Sequence, residues 1–209
     1  MRLDIRSLVS LAGIAATPLI LAGMGVTHPH ELTPQTAGYW HLLHYLLLPI
    51  FPLLGVNIWW LLRGVTGPLA WIARGLAFIY MTFYGALDVL AGIGTGLVMM
   101  KATATDQPAL TGVNHWLFAQ GNELAEIGVW AFGLACILVS VLLIRRVGRM
   151  AIPGSILLLG AAISFLSSHI YYPIGVVTML VMAFGFGWLE WARLRGESLA
   201  AAKPTLQEV

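Results

Sequence analysis

Residues 116–144 read WLFAQGNELAEIGVWAFGLACILVSVLLI, and this stretch decides the fold class. It contains no Lys or Arg, carries Glu123 and Glu126 near its start, and is closed by Arg145 and Arg146. A helix needs about 20 apolar residues to cross a bilayer, so this stretch is long enough to span one. Carboxylates at membrane depth are expensive, and two of them on one helix face imply a partner: a proton, a cation or a hydrogen-bond donor.

The composition of the whole chain agrees with a membrane protein. Of its 209 residues, 59% are hydrophobic and only 10% are charged, whereas soluble domains have about 25% charged residues. The single cysteine, Cys136, excludes an internal disulfide. No basic stripe or recognised motif indicates nucleic-acid binding. We therefore predict an integral membrane protein whose principal partner is the lipid bilayer.

Working outward from residues 116–144, apolar runs separated by polar or Pro- and Gly-rich turns predict an all-α, single-domain bundle of six membrane-spanning helices. We interpret the first run as a span and not as a secretory signal peptide, because it is long for a signal. Pro49 and Pro52 are expected to interrupt the second span and free backbone carbonyls, and Asn114 is expected to cap the fourth helix. The predicted spans are 7–26, 39–62, 69–100, 116–144, 152–168 and 174–191, followed by a short polar tail over 192–209.

The charged residues predict the orientation of these spans. Every cationic residue except Lys101 falls on one side of a six-span threading. The positive-inside rule then places both termini in the cytoplasm, with the chain in the plasma (cytoplasmic) membrane. All six histidines fall at or near the opposite, outer face: His28, His30, His41, His44, His115 and His169.

Imidazole and carboxylate groups are therefore expected to meet at the outer face. His41 and His44 form an HxxH pair on one helix face, His169 ends the fifth span, and Glu126 opens the fourth. Imidazole together with carboxylate is the ligand set of zinc, iron or copper. We predict these four residues as metal ligands, although a lone HxxH pair is also typical of interfacial histidines that bind water.

Two further acidic residues are candidate catalytic groups. Glu123 is a candidate general base for a metal-activated water. Asp88 lies near the middle of the third span, where an unpaired charge is costly, so it should be protonated, bonded to Tyr84 or Thr95, or near a cation. A structural clamp between helices explains Asp88 equally well. The expected surrounding or lid residues are Tyr84, His28, His30, His115 and Asn122.

Two of the functions consistent with these residues require a cofactor. The first is a metal-dependent membrane enzyme, such as a hydrolase of lipid-like substrates. The second is a redox subunit in which haem b is held between His41 or His44 on one helix and His169 or His115 on another. The carboxylates have no role in the haem hypothesis, which favours the metal site.

The remaining functions require no cofactor. Asp88, Glu123 and Glu126 suit a proton- or ion-coupled transporter. We expect no matching acidic site in the cytoplasmic half, so the ion path formed by these carboxylates would reach only the outer side. An accessory subunit of a larger membrane complex needs no site at all.

Overall fold

The computed structural model describes residues 4–102 and 107–202, and all the regular structure in these ranges is helical. The predicted all-α fold is therefore confirmed. The elements are α1 (Ile5–Thr27), α2 (Ala37–Ile50), α3 (Pro52–Leu61), α4 (Pro68–Leu87), a π-helical segment (Asp88–Gly94), α5 (Thr95–Lys101), α6 (Gln107–Val147), a 3-10 turn (Gly148–Ala151), α7 (Ile152–Ser168) and α8 (Ile174–Ala201).

Five helical segments are long and apolar enough to cross a membrane: Ile5–Thr27, Ala37–Leu61, Pro68–Lys101, Leu110–Ser168 and Ile174–Ala201. The fourth segment comprises most of α6, the 3-10 turn and α7. The outer surface of the bundle is apolar, with Phe184 71%, Ile163 68% and Ile156 66% exposed. Side chains of this kind suit a bilayer because water would not solvate them favourably.

Two helix ends differ from the sequence prediction. α6 begins at Gln107, so Asn114 lies inside the helix and is buried at 7% exposure. The prediction that Asn114 caps this helix is wrong, because the residues before it are themselves helical. α8 continues to Ala201, beyond the predicted end of the last span at residue 191.

Proline interrupts the second span as predicted. α2 ends at Ile50, and α3 begins with Pro52 at its first turn. Proline has no N–H to continue the ladder, so a carbonyl near it loses its usual partner. The buried Tyr80 hydroxyl donates to the Phe51 carbonyl at 3.1 Å. The Phe51 carbonyl also accepts from the Leu54 N–H at 3.0 Å, so Tyr80 adds an inter-helix hydrogen bond at the break.

The π-helical segment Asp88–Gly94 interrupts the third span beside α2. A π turn replaces the α-helical hydrogen-bond pattern with bonds between residues five apart, so some backbone carbonyls are left for partners outside the helix. Trp40 Nε1–H donates to the Ala91 carbonyl at 3.2 Å, and His41 Nδ1–H donates to the Ile93 carbonyl at 2.9 Å. Side chains of α2 thus satisfy backbone acceptors of the π segment and hold the two elements in register.

An ion-pair cluster joins α1, the turn that follows α3, and α8 at the arginine-rich end of the bundle. Its centre is the carboxylate of Glu190, which is fully buried. Arg193 donates to it through Nε and Nη2, both at 2.9 Å, and Arg63 Nη2 contacts Oε1 at 2.5 Å. The Ser10 hydroxyl also donates to Oε1. We call Ser10, Arg63, Glu190 and Arg193 the arginine cluster.

The arginine cluster extends outward through Glu197. Arg193 Nη1 lies 2.6 Å from Glu197 Oε1, and Arg146 Nη2 of α6 lies 3.2 Å from the same oxygen. Glu197 is half exposed, so these outer pairs are partly screened by solvent. Charge-assisted hydrogen bonds thus tie α1, α6, α8 and the turn that follows α3 together at this end.

Candidate metal centre

Three histidines converge at the opposite end of the bundle. His28 follows α1, His44 lies on α2, and His169 follows α7. Each offers one ring nitrogen, and these three atoms lie within 4.8 Å of one another. The ring of His28 stands nearly perpendicular to the rings of His44 and His169, at 85° and 89°. This arrangement, the histidine cluster, can hold a metal ion.

Hydrogen bonds fix the tautomers of two of these rings. His28 Nδ1 lies 2.8 Å from the Pro29 carbonyl oxygen, and His44 Nδ1 lies 2.7 Å from the Trp40 carbonyl oxygen. A carbonyl only accepts, so each Nδ1 carries the hydrogen and each Nε2 carries the lone pair. Nε2 of His28 is buried and has no hydrogen-bond partner among the described residues. A backbone carbonyl behind the ring is the usual support of a metal-binding histidine.

The third ring is held by a tyrosine. His169 Nδ1 lies 2.6 Å from the hydroxyl oxygen of Tyr84 on α4. Nε2 is therefore the ring nitrogen of His169 that this bond leaves available. His169 has a positive φ of 35°, which is uncommon for a residue other than glycine. Local strain of this kind often accompanies a functional position.

Close backbone contacts bring the loops of His28 and His169 together. Gly25, on the last turn of α1, packs against the loop after α7, and a Cβ there would lie 2.2 Å from the Ile170 carbonyl oxygen. Only glycine permits this approach. The contact places the residues that follow α1 beside those that follow α7, which is how two loops far apart in sequence supply ligands to one cluster.

A second glycine makes room for His44. A Cβ at Gly92 of the π segment would lie 2.1 Å from Cδ2 of His44. The missing side chain lets the imidazole lie directly against the π segment. The Trp40 ring packs on the other side, 4.9 Å from the His44 ring. Contacts with Gly92 and Trp40 thus enclose His44, which is only 3% exposed.

The histidine cluster adjoins a cavity of about 540 Å³, which we call the outer cavity. His44 and His169 line it together with Glu126 of α6. Asn122 and Trp130, like Glu126, are exposed residues of α6 that line the cavity. The cavity therefore has imidazoles on one side and a carboxylate on another.

Burial favours the uncharged form of two cluster imidazoles. Desolvation lowers the pKa of His28 to about 4, against the opposing effect of its bond to Pro29. Desolvation also lowers the pKa of His169 well below its usual value, with a smaller contribution from the neighbouring histidines. Neutral imidazole is the form that binds a metal, so the cluster needs little deprotonation to accept one.

The structure brings some of the predicted site residues together and separates others. His44, His169 and Glu126 share the outer cavity with Tyr84 and Asn122. His41 is outside the histidine cluster, with Nδ1 donating to the π segment. His30 stacks on Tyr171 with ring centres 5.7 Å apart, and His115 is exposed on α6. Glu123 is exposed and lines a separate groove described below.

Asp88 is neither part of the histidine cluster nor one of the residues that line the outer cavity. Its side chain is fully buried, and neither carboxyl oxygen has a hydrogen-bond partner among the described residues. The expected bonds to Tyr84 and Thr95 are absent there, because those hydroxyls bond His169 and the Ala91 carbonyl instead. The interpretation of Asp88 as a hydrogen-bonded clamp is therefore wrong for these residues.

Sequence reasoning missed two residues. His28 was placed among the surrounding residues, yet its ring is in the histidine cluster. Glu190 was not singled out in the sequence, yet its carboxylate is buried at the centre of the arginine cluster. Its spacing of three residues from Arg193 was the available signal. For His28 no local signal existed, because its position depends on a contact between distant loops.

In comparisons of sequence and structure, the chain matches no protein-family model, no curated protein and no solved structure.

Proposed function

We propose that this protein is a membrane metalloprotein in which His28, His44 and His169 bind one transition-metal ion through Nε2. The observation that carries the proposal is that every Nδ1 of the histidine cluster is engaged, while three ring nitrogens lie within 4.8 Å of one another. A three-histidine set beside an open cavity is typical of catalytic zinc, with iron and copper as alternatives. His28 takes the ligand role first predicted for His41.

The chemistry we propose is hydrolysis of a lipid-like substrate. A metal ion held by His28, His44 and His169 would supply a water molecule of lowered pKa as the nucleophile. Glu126 lines the same cavity and is our candidate for the group that accepts the proton of this water. Tyr84 orients His169 from behind. Glu123 and Asp88, first predicted as catalytic, lie outside the outer cavity and are not needed for this chemistry.

We further propose six crossings of the cytoplasmic membrane, with the arginine cluster and both termini on the cytoplasmic side. α6 and α7 pack against each other across the turn at Gly148, whose φ is 69°, and this supports two antiparallel crossings within Leu110–Ser168. The orientation is tested with Gln35→Cys and Ser198→Cys, each in a Cys136→Ser background. An impermeant maleimide applied to intact cells should label only Gln35→Cys.

Elemental analysis of purified protein tests the metal site. We expect close to one zinc, iron or copper ion per chain, with no Soret band in the absorption spectrum. His44→Ala should lower metal affinity by more than the roughly 10- to 100-fold typical of losing a residue behind a ligand, because it removes a ligand itself. His41→Ala is the matched control, since it removes an imidazole from the same helix but outside the histidine cluster.

Three outcomes would overturn the proposal. Protein that acquires no metal under any loading condition lacks the site. Equal metal retention in His44→Ala and wild type removes His44 from the ligand set. A Soret band that disappears in His44→Ala would assign the histidines to haem b instead.

A further inference from the structure

A second cavity, of about 600 Å³, lies on the outside of the bundle between α4 and α6. We call it the lipid-facing groove. Its floor is Ala131, which is buried at 4% exposure, and its rims are mostly exposed apolar side chains. The residues that line it are Leu76, Ile79, Glu123, Glu126, Ile127, Trp130, Ala131 and Leu134.

The lipid-facing groove and the outer cavity adjoin each other. Glu126 and Trp130 line both of them. One side of these two residues therefore faces the cavity beside the histidine cluster, and the other faces the groove on the bundle surface. A molecule that occupies both spaces would pass Glu126 and Trp130.

Polarity changes along the lipid-facing groove. Its polar side chains, Glu123 and Glu126, lie at one end, and Ile127, Trp130, Ala131 and Leu134 follow along α6. From Glu126 to Leu134 the helix rises about 12 Å. Leu76 and Ile79 form the facing wall on α4. A groove that is polar at one end and apolar over the rest complements an amphiphile, not a wholly apolar molecule.

We propose that the lipid-facing groove holds the hydrocarbon chain of a single-chain amphiphile whose polar head reaches the outer cavity past Glu126. The inference deepens the proposed metalloenzyme, because it assigns the substrate class and a route from the bilayer to the histidine cluster. Trp130, exposed at the junction, covers the chain where it turns from the groove into the cavity.

Photolabelling of the full-length protein in phosphatidylcholine vesicles tests the inference. The probe is palmitic acid with a diazirine in its chain. We expect adducts concentrated on α4 and α6 at the groove residues. Ile127→Trp should fill the groove and lower the labelling about tenfold or more, since each excluded methylene weakens binding about fourfold. Ile137→Trp is the matched control, because Ile137 is 46% exposed on the same helix and does not line the groove.

The outcomes separate the groove from the metal site, because each variant is also analysed for metal. Labelling spread evenly around the bundle, or equal labelling of Ile127→Trp and Ile137→Trp, would show ordinary bilayer lipid and overturn the inference. Groove-specific labelling in protein that binds no metal would support the groove and refute the metalloenzyme. Loss of metal in His44→Ala, together with unspecific labelling of the wild type, would support the metal site and refute the groove.

Discussion

The histidine cluster and the arginine cluster bury polar groups at opposite ends of the bundle, and they satisfy them differently. In the arginine cluster the buried carboxylate of Glu190 accepts from Ser10, Arg63 and Arg193. In the histidine cluster, Nε2 of His28 is buried with no partner among the described residues. The buried carboxylate of the arginine cluster is thus fully hydrogen-bonded, whereas the histidine cluster contains a buried nitrogen lone pair that accepts no hydrogen bond from the described residues.

The difference separates structural from functional burial. A buried charge without a partner is strongly unfavourable, so once the arginine cluster is formed, removal of any one partner destabilises the fold. A buried acceptor without a partner lowers the free energy of unfolding, and a bound ligand can offset this loss. A metal ion at the histidine cluster would do so. The comparison therefore assigns cohesion of the bundle to one end and ligand binding to the other.

The largest effect is expected at the arginine cluster. Glu190→Gln keeps the size of the side chain but leaves Arg193, which is 3% exposed, without its buried counter-charge. Removing one partner of such a pair costs about 3–5 kcal/mol. We expect the free energy of unfolding, measured by denaturant titration in mixed micelles, to fall by this amount.

Glu197→Gln is the control for that change. Glu197 also pairs with Arg193, but its side chain is 42% exposed, so the loss should be at most about 1 kcal/mol. Equal stability of Glu190→Gln and wild type would mean that the arginine cluster does not hold the helices together, and the contrast between the two ends would fail.

A smaller effect, seen in metal affinity, is expected at the histidine cluster. Tyr84→Phe removes the hydroxyl that bonds His169 Nδ1 and should weaken metal binding about 10- to 100-fold. The affinity is measured by competition with a chromophoric chelator. Tyr80→Phe is the control: its hydroxyl donates to the Phe51 carbonyl, so its loss should lower stability by about 1 kcal/mol and leave metal affinity unchanged.

Equal weakening by the two phenylalanine variants would contradict a specific role for Tyr84. The effect would then come from loosening of the aromatic core around both rings. An unchanged affinity in Tyr84→Phe would mean that the Tyr84 hydroxyl is not needed to orient the His169 ring.

Local patterns predicted the helices and part of the site. Apolar runs predicted where membrane helices lie, because burial in lipid requires about 20 apolar residues whatever the neighbours are. Pro49 and Pro52 predicted the break in the second span. His44 and Glu126 were expected at the same face, and both line the outer cavity. These predictions need only the position of a residue along its own helix.

What escaped prediction depends on contacts between distant segments. His28 joins the cluster because Gly25 allows the loop after α7 to lie against α1. The π segment at Asp88–Gly94 depends on donors from Trp40 and His41 of another helix. Glu190 was overlooked because the positive-inside rule uses only the positions of Lys and Arg along the chain, and these do not show that Arg63 and Arg193 surround one carboxylate.

The smallest change in the free energy of unfolding is expected for substitution of Asp88, which allows a direct comparison with Glu190. Asp88 and Glu190 are both fully buried carboxyls, and replacement by Asn or Gln is the same chemical change at both. Asp88 forms no ion pair or hydrogen bond with any described residue, so it is expected to be an uncharged acid. Asp88→Asn exchanges one neutral polar group for another of equal size. The free energy of unfolding should change by less than about 1 kcal/mol, against about 3–5 kcal/mol for Glu190→Gln.

The same denaturant titration compares the two variants directly. A loss at Asp88→Asn as large as that at Glu190→Gln would show that Asp88 is ionised and balanced by a cation bound within the bundle. Binding would then extend from the histidine cluster into the middle of the membrane, and the ion-coupled transporter would replace the hydrolase as the better hypothesis. A small loss keeps ligand binding at the histidine cluster, where Nε2 of His28 is buried without a hydrogen-bond partner among the described residues.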